Sequence, residues 1–218
     1  MKRTVEEHAA RFDDHAADYD ESQNSEEYKA CAGLVIDFAD PGPEDTVLDL
    51  GCGTGAIALA LAPEAKRVVG RDVSTNMMKR AREKADEQGL TNVAFGEGRF
   101  REPNVDETVD TESTEPPQAD DRSAHVDVVV SNFAMHHLSD EEKREAVSVI
   151  AGLGPRKFVL GDVMFFGLPD PDEPFYSPEV DDPATVGTLV EAFTDAGFAV
   201  TAVRRVHEQV GVLVGERL

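Results

Sequence analysis

The spacing of hydrophobic residues changes near residue 46, and the change separates two kinds of structure. Before it, apolar side chains recur at helical intervals. Residues 5–17 read as a polar, acidic helix running into Asp18-Tyr19-Asp20-Glu21. Residues 25–39 read as a second helix carrying Leu34, Val35, Ile36 and Phe38. Asp40-Pro41-Gly42-Pro43 ends it, because proline lacks the amide hydrogen a helix needs and glycine starts a turn.

Beyond residue 46, short apolar runs alternate with helical stretches. Val47-Leu48-Asp49-Leu50, Arg67-Val68-Val69-Gly70, Val93-Ala94-Phe95, Val126-Asp127-Val128-Val129-Val130 and Lys157-Phe158-Val159-Leu160 read as buried strands. Helices are expected over 54–61, 75–88 and 140–150, the last opened by Ser139-Asp140-Glu141-Glu142, a capping box. Strands that are apolar throughout and alternate with helices imply a parallel sheet covered on both faces. The end of the chain differs. After a helix over 184–196, the runs 198–206 and 210–214 are joined only by His207-Glu208-Gln209. No crossover helix fits there, so an antiparallel hairpin is predicted. The fold class is therefore α/β: a Rossmann-like, seven-stranded, mostly parallel sheet with helices on both faces and a C-terminal antiparallel hairpin.

Residues 101–124 stand outside this pattern. They are rich in Asp, Glu, Thr and Pro and nearly free of large apolar groups, so they cannot offset their ordering entropy by burial. An acidic mobile insertion is expected within a single domain spanning 1–218.

Composition narrows the setting. No run of about 18 apolar residues marks a membrane span, and Met1-Lys2-Arg3 leads into polar residues rather than a secretory core. The two cysteines, Cys31 and Cys52, form no metal-type cluster and are expected as reduced thiols, which points to a cytoplasmic protein without a metal. The 44 acidic against 21 basic residues give a net charge of −23. This balance disfavours nucleic acid as a partner. It suits a halophile's cytoplasm, where the Debye length shrinks to about 3 Å at 1 M salt and acidic side chains hardly repel.

Candidate chemistry begins at Val47-Leu48-Asp49-Leu50-Gly51-Cys52-Gly53-Thr54-Gly55, where a first strand turns into a first helix. Ligands of open α/β sheets bind at the carboxyl ends of strands near the switch point. Glycines let the backbone come close to such a ligand. Gly51, Gly53 and Ala56 also satisfy the dinucleotide pattern, but Asp49 just upstream suits a cationic amino acid head better than a pyrophosphate.

This stretch resembles motif I of the class I S-adenosylmethionine-dependent methyltransferases, and further elements of that family follow in order. Val69-Gly70-Arg71-Asp72-Val73-Ser74 resembles the acid-tipped second strand, so Asp72 would hold the ribose hydroxyls with Val73 and Met77 beside the adenine. Ser131-Asn132-Phe133-Ala134-Met135-His136-His137-Leu138 resembles motif IV of small-molecule members such as quinone-biosynthesis enzymes. That resemblance would set Asn132 near the methionine end and Phe133 near the methyl group. Arg11-Phe12-Asp13-Asp14-His15-Ala16-Ala17-Asp18-Tyr19-Asp20 is similar to the N-terminal segment of the same enzymes. It implies that residues 1–40 form a helical lid in which Tyr19 closes over the cofactor. The cofactor-binding set implied is Tyr19, Asp49, Gly51, Gly53, Gly55, Asp72, Val73, Met77 and Asn132. One position departs. Where the family places an acid that accepts from the adenine amine, this chain has Gly98-Arg99, and arginine is only a donor. Glu97, a backbone carbonyl or packing would have to take over.

The resemblance implies methyl transfer to a small-molecule acceptor. His136, His137 and Asp162 fall near the expected mouth of the site as candidate bases, without a catalytic assignment for any of them. The loop holding Phe166, Phe175 and Tyr176 is a candidate acceptor wall. Motif IV lacks the Pro-Pro of amino-methylating nucleic-acid enzymes, and neither cysteine sits where a cytosine C5 enzyme needs one. An RNA or protein acceptor, or a non-catalytic cofactor-binding protein, stays open as the alternative. A nicotinamide oxidoreductase is disfavoured, since no Tyr-x-x-x-Lys follows Tyr19, Tyr28 or Tyr176.

Overall fold

A computed structural model describes residues 5–105, 125–168 and 175–217. Most of the acidic insertion expected at 101–124 lies outside these residues. Helices α1 (Val5–His15), α2 (Tyr19–Ser22) and α3 (Glu26–Ala39) precede the sheet. Then follow β1 (Thr46–Leu50), α4 (Ala56–Leu61), β2 (Arg67–Asp72), α5 (Thr75–Glu87), β3 (Val93–Glu97) and β4 (Val128–Asn132). The chain closes with a 3₁₀ turn (Met135–His137), α6 (Asp140–Gly152), β5 (Lys157–Phe165), β6 (Ala184–Thr185), α7 (Val186–Asp195), β7 (Ala199–His207) and β8 (Val210–Glu216).

The strand order is β3-β2-β1-β4-β5-β8-β7. The first five strands run parallel, while β8 pairs antiparallel with both β5 and β7. This is the predicted seven-stranded path with its terminal hairpin. A two-residue strand, β6, adds itself beside the far end of β5. The order reverses between β1 and β4, so the carboxyl ends of those strands flank the crevice in which such sheets bind ligands.

Alternation along each strand feeds two cores. Val47, Val68, Val128 and Val130 pack against α3, α4 and α5 through Val35, Ala58 and Met78. Leu48, Leu50, Val129, Phe158 and Leu160 face the other way, toward Val147 and Ile150 of α6 and Phe193 of α7. There Phe158 and Phe193 stack with ring centroids 4.8 Å apart. Fully burying one such ring contributes roughly 1.5–3 kcal/mol.

Caps set the helix boundaries. The hydroxyl of Ser25 accepts from the Tyr28 amide at the start of α3. At α6, Ser139 and Glu142 exchange bonds in the predicted box. Two differences from the expected boundaries shape the site. Helix α4 starts at Ala56 rather than 54, because Gly55 has φ +85° and cannot continue a helix backwards. The first helix breaks after His15, and the chain restarts at Tyr19 so that Tyr19 and Asp20 can turn onto the glycine loop.

Candidate functional site

The tips of β1, β2 and β4 surround a cavity of about 230 Å³. Its floor is the turn after β1. Gly51 and Cys52 donate their amides to the Arg71 carbonyl at 2.8 and 3.1 Å, which pins the loop to β2. Gly51 has φ +72°, and a Cβ there would lie 2.4 Å from the Ala134 methyl, so this position admits only glycine. At Gly53, φ +51°, a Cβ would instead project into the space before Tyr19, whose ring lies 3.8 Å away. Absence of a side chain there keeps the cavity open.

Asp72 ends β2 beside this loop. Its Oδ2 accepts from the Gly53 amide and its Oδ1 from the Ser74 amide, each at 2.8 Å. Burial nonetheless raises its pKa, the backbone donors only partly offsetting the lost solvent. Asp49 lies behind the loop. It is 1% exposed and accepts from the Ala58 amide at 3.1 Å, and burial pushes its pKa up to about 7.

Two aspartates that motif reading left unassigned bind the N-terminal helices to the same loops. Asp13 accepts from the Ser74 hydroxyl at 2.6 Å and the Asn76 amide at 2.9 Å. Asp20 accepts from the Thr54 hydroxyl and pairs with Lys84, both at 2.5 Å. The signal was present: both lie in the segment around Tyr19 that resembles the family's N-terminus.

The opposite wall is aromatic and holds His137, with His136 buried behind it. Phe133, at the end of β4, adopts φ +53°, an uncommon conformation for a side chain of this size. It packs against Tyr28 and Phe175, with centroids 5.0 and 6.2 Å away. The following 3₁₀ turn presents two imidazole–carboxylate pairs. His136 approaches Asp162 at 2.5 Å through Nδ1 and also donates its amide to that carboxylate at 2.9 Å. His137 approaches Asp181 at 2.8 Å through Nδ1. The two imidazoles lie 4.0 Å apart, and His137 also meets the rings of His8 and Phe12 at 5.2 and 5.5 Å.

Burial opposes charge on both rings, with different results. At His136 the Asp162 and Asp181 carboxylates prevail and raise the pKa. At His137 burial and the neighbouring His136 prevail over Asp181 and lower it. A metal reading suits this spacing less well. His136, His137 and Asp181 bring ligand-type atoms within 4.8 Å of one another. Yet 2.8 Å is hydrogen-bond distance, and His136 Nε2 lies 4.0 Å from the Asp181 oxygen. Two ligands about 2.1 Å from a tetrahedral zinc ion would be roughly 3.4 Å apart.

Of the residues expected to bind the cofactor, Tyr19, Gly51, Gly53, Asp72, Val73 and Met77 line the cavity. Asp49, Gly55 and Asn132 stand behind it. Asn132 is 8% exposed, with its side-chain amide beside the Tyr28 hydroxyl. Gly98 and Arg99 also line the cavity, with Arg99 turned to Glu102 at 3.1 Å. Glu97 faces a smaller neighbouring cavity of about 120 Å³.

The acceptor-wall expectation is corrected at two rings. Phe166 packs over Gly211, and Tyr176 pairs with Phe165 at 5.6 Å; neither lines the cavity. Phe175 reaches it indirectly, through Phe133. Asp162 is 2% exposed and serves His136 rather than the cavity. Both cysteines are buried, which pushes their thiols up and keeps them protonated.

The residues present fit S-adenosylmethionine. Asp72 offers two acceptor oxygens beside a cavity kept open at Gly53, where a Cβ would project into the space before Tyr19. Comparisons with known proteins agree. Residues 47–153 match the methyltransferase-domain family. An uncharacterised methyltransferase of Bacillus velezensis is 29% identical over 207 residues, covering 86% of this chain and 88% of that protein. The uncharacterised methyltransferase YcgJ of Bacillus subtilis is 34% identical over 132 residues, 60% of this chain and 45% of that protein. The crystal structure of YcgJ superposes with TM-score 0.61 at 25% identity, over 81% of this chain and 71% of that one. The fold also matches magnesium protoporphyrin IX methyltransferase from Synechocystis with bound S-adenosylhomocysteine. There the TM-score is 0.63 at 20% identity, over 87% of this chain and 81% of that one. The chain is an S-adenosylmethionine-dependent methyltransferase.

Proposed function

We propose that this enzyme methylates a small acceptor of apolar or aromatic character, held against the wall formed by Phe12, Phe133, Leu138 and Val180. The observation that carries this reading is the two-sided cavity: carboxylate and glycine backbone on one side, aromatic and aliphatic side chains on the other. A net charge of −23 works against the phosphate contacts that an RNA acceptor requires.

In this reading Asp72 takes the ribose hydroxyls, Val73 and Met77 flank the adenine, and Gly51, Gly53 and Gly55 shape the loop beneath. Asp49 and Asn132 complete the methionine end from behind the loop, and residues 1–40 form a lid closed by Tyr19. When bound, the cofactor supplies an activated methyl group; positioning and water exclusion then account for much of the rate, up to about 7–11 kcal/mol. Calorimetry with S-adenosylhomocysteine, followed by mass spectrometry of an acceptor library, tests the assignment. Binding together with a mass gain of one methyl on a small aromatic acceptor is expected. Methylation confined to RNA or protein would refute it.

The acidic surface fits a salty cytoplasm. Raising potassium chloride from about 0.1 M to about 1 M, where screening reaches roughly 3 Å, is expected to raise the Tm. A Tm that falls or stays level would remove the halophilic reading.

A further inference from the structure

We infer that His137 is the catalytic base of this enzyme, and that the acceptor is a hydroxyl compound, phenolic in character, whose proton passes to Nε2 of His137. The inference rests on the proposed small-molecule reading and names its substrate class.

Geometry carries it. His137 lines the cavity, and its Nδ1 is committed to Asp181 at 2.8 Å. A carboxylate can only accept, so Nδ1 carries the proton and Nε2 is left with its lone pair. Nε2 makes no hydrogen bond among the described residues. Asp181 is itself fixed, its second oxygen accepting from the Ser177 amide at 2.8 Å. Asp181 is therefore a positioning residue: it sets the tautomer and steadies the ring when Nε2 gains a proton.

The second pair lies directly behind. His136, with Asp162 on one side, remains charged more readily than an ordinary imidazole, and its ring centroid is 4.0 Å from that of His137. That neighbouring charge helps keep His137 unprotonated and ready to accept. Other charged groups bear on the same site. His8 comes from α1, Lys143 and Glu142 from α6, Asp182 from the loop beside Asp181, and Arg101 from the cavity wall. Lys143 is held by the Leu138 and Asp182 carbonyls, and its charge opposes that of His136 without outweighing the Asp162 and Asp181 carboxylates.

A base is required only where the acceptor loses a proton. Neutral aromatic amines and thioethers bring a free lone pair, and a hydroxyl next to an apolar wall does not ionise unaided. The bonds balance in one displacement. The O–H proton goes to Nε2, the oxygen lone pair forms the O–CH₃ bond, and the electron pair of the broken C–S bond stays on sulfur.

Histidine NMR on ¹⁵N-labelled protein saturated with S-adenosylhomocysteine tests this without turnover. His137 is expected as the Nδ1–H tautomer, gaining its second proton below imidazole's ordinary value of about 6.5. Asp181→Asn should move that titration lower and His136→Gln should move it higher. An Nε2–H tautomer, or protonation at or above the ordinary value, overturns the inference. In parallel, a panel of phenols is assayed beside amines and thioethers of matched size. Methylation of phenols is expected, with His137→Gln lowering kcat about 10²–10⁴-fold, erasing the acid limb of the pH profile and leaving S-adenosylhomocysteine affinity unchanged. Chelation with EDTA should leave the rate unaltered. Methylation of amines or thioethers alone, a His137→Gln enzyme with its rate and acid limb intact, or a metal-dependent rate would overturn the base while leaving small-molecule methylation standing. Failure to bind S-adenosylhomocysteine would instead count against the cofactor assignment. If no member of the panel is methylated, the tautomer and its two shifts decide alone.

Discussion

The two walls of the cavity are built by opposite means. On the β1–β2 side the chemistry is local: Gly51, Gly53 and Asp72 are held by backbone amides and carbonyls of the adjoining turns. On the β4–β5 side it is assembled from afar, with His136 meeting a carboxylate 26 residues on and His137 one 44 residues on. A backbone-built wall suits a ligand that never changes. A wall of side chains drawn from several loops can be altered one residue at a time without disturbing the first. In the proposed reading, cofactor binding and acceptor chemistry therefore fall to separate parts of the fold.

Substitutions on each wall should therefore separate two measurements, affinity for S-adenosylhomocysteine and the pH dependence of turnover. The largest effect is expected from His137→Gln, about 10²–10⁴-fold on kcat with affinity intact. Next is Asp72→Asn. Losing a charged, buried acceptor should weaken S-adenosylhomocysteine about 10–150-fold, equivalent to roughly 1.5–3 kcal/mol, with the acid limb unmoved. If either variant shifts both measurements equally, the division between the walls fails.

Gly51→Ala tests the rigidity of the backbone-built wall. Its φ of +72° and the 2.4 Å approach to Ala134 should together cost about 1–3 kcal/mol, read by calorimetry as a Tm lower by roughly 2–12 °C. A variant as stable as the parent would show that the loop yields.

The mildest effect concerns Asp49. In the fold its carboxyl takes up a proton near pH 7, against about 3.9 in the unfolded chain. The folded state therefore holds the extra proton between those values. Its stabilising contribution is complete below the lower one and lost as pH climbs through 7. Asp49→Asn should flatten the decline of Tm across that window and match or exceed the parent at pH 8. An unchanged slope would show that Asp49 ionises freely.

Legibility in the sequence followed the same division. The strands, the terminal hairpin and the glycine turn were readable because periodicity and motif lie in contiguous residues. Asp162 and Asp181 could not be paired with His136 and His137, since neither spacing nor periodicity links one loop to a strand on another part of the sheet. Phe166 and Tyr176 were drawn toward the cavity by composition. Register overrules composition there: Phe166 follows directly on β5 and falls over Gly211 of the neighbouring β8. The break between α1 and α2 was equally hidden, because it answers to Thr54 and Lys84 rather than to its own residues.

Asp13 and Asp20 clasp α5 and the glycine turn, and Tyr19 lies between them in the chain, so these two carboxylates work as a clasp on whatever Tyr19 covers. With bonds to a charged carboxylate worth about 1.5–3 kcal/mol net each, opening the clasp in the proposed lid reading means breaking those bonds while the sheet is left untouched. In that reading spent cofactor departs by a hinge ahead of β1, at a tempo set by two aspartates that take no part in the chemistry.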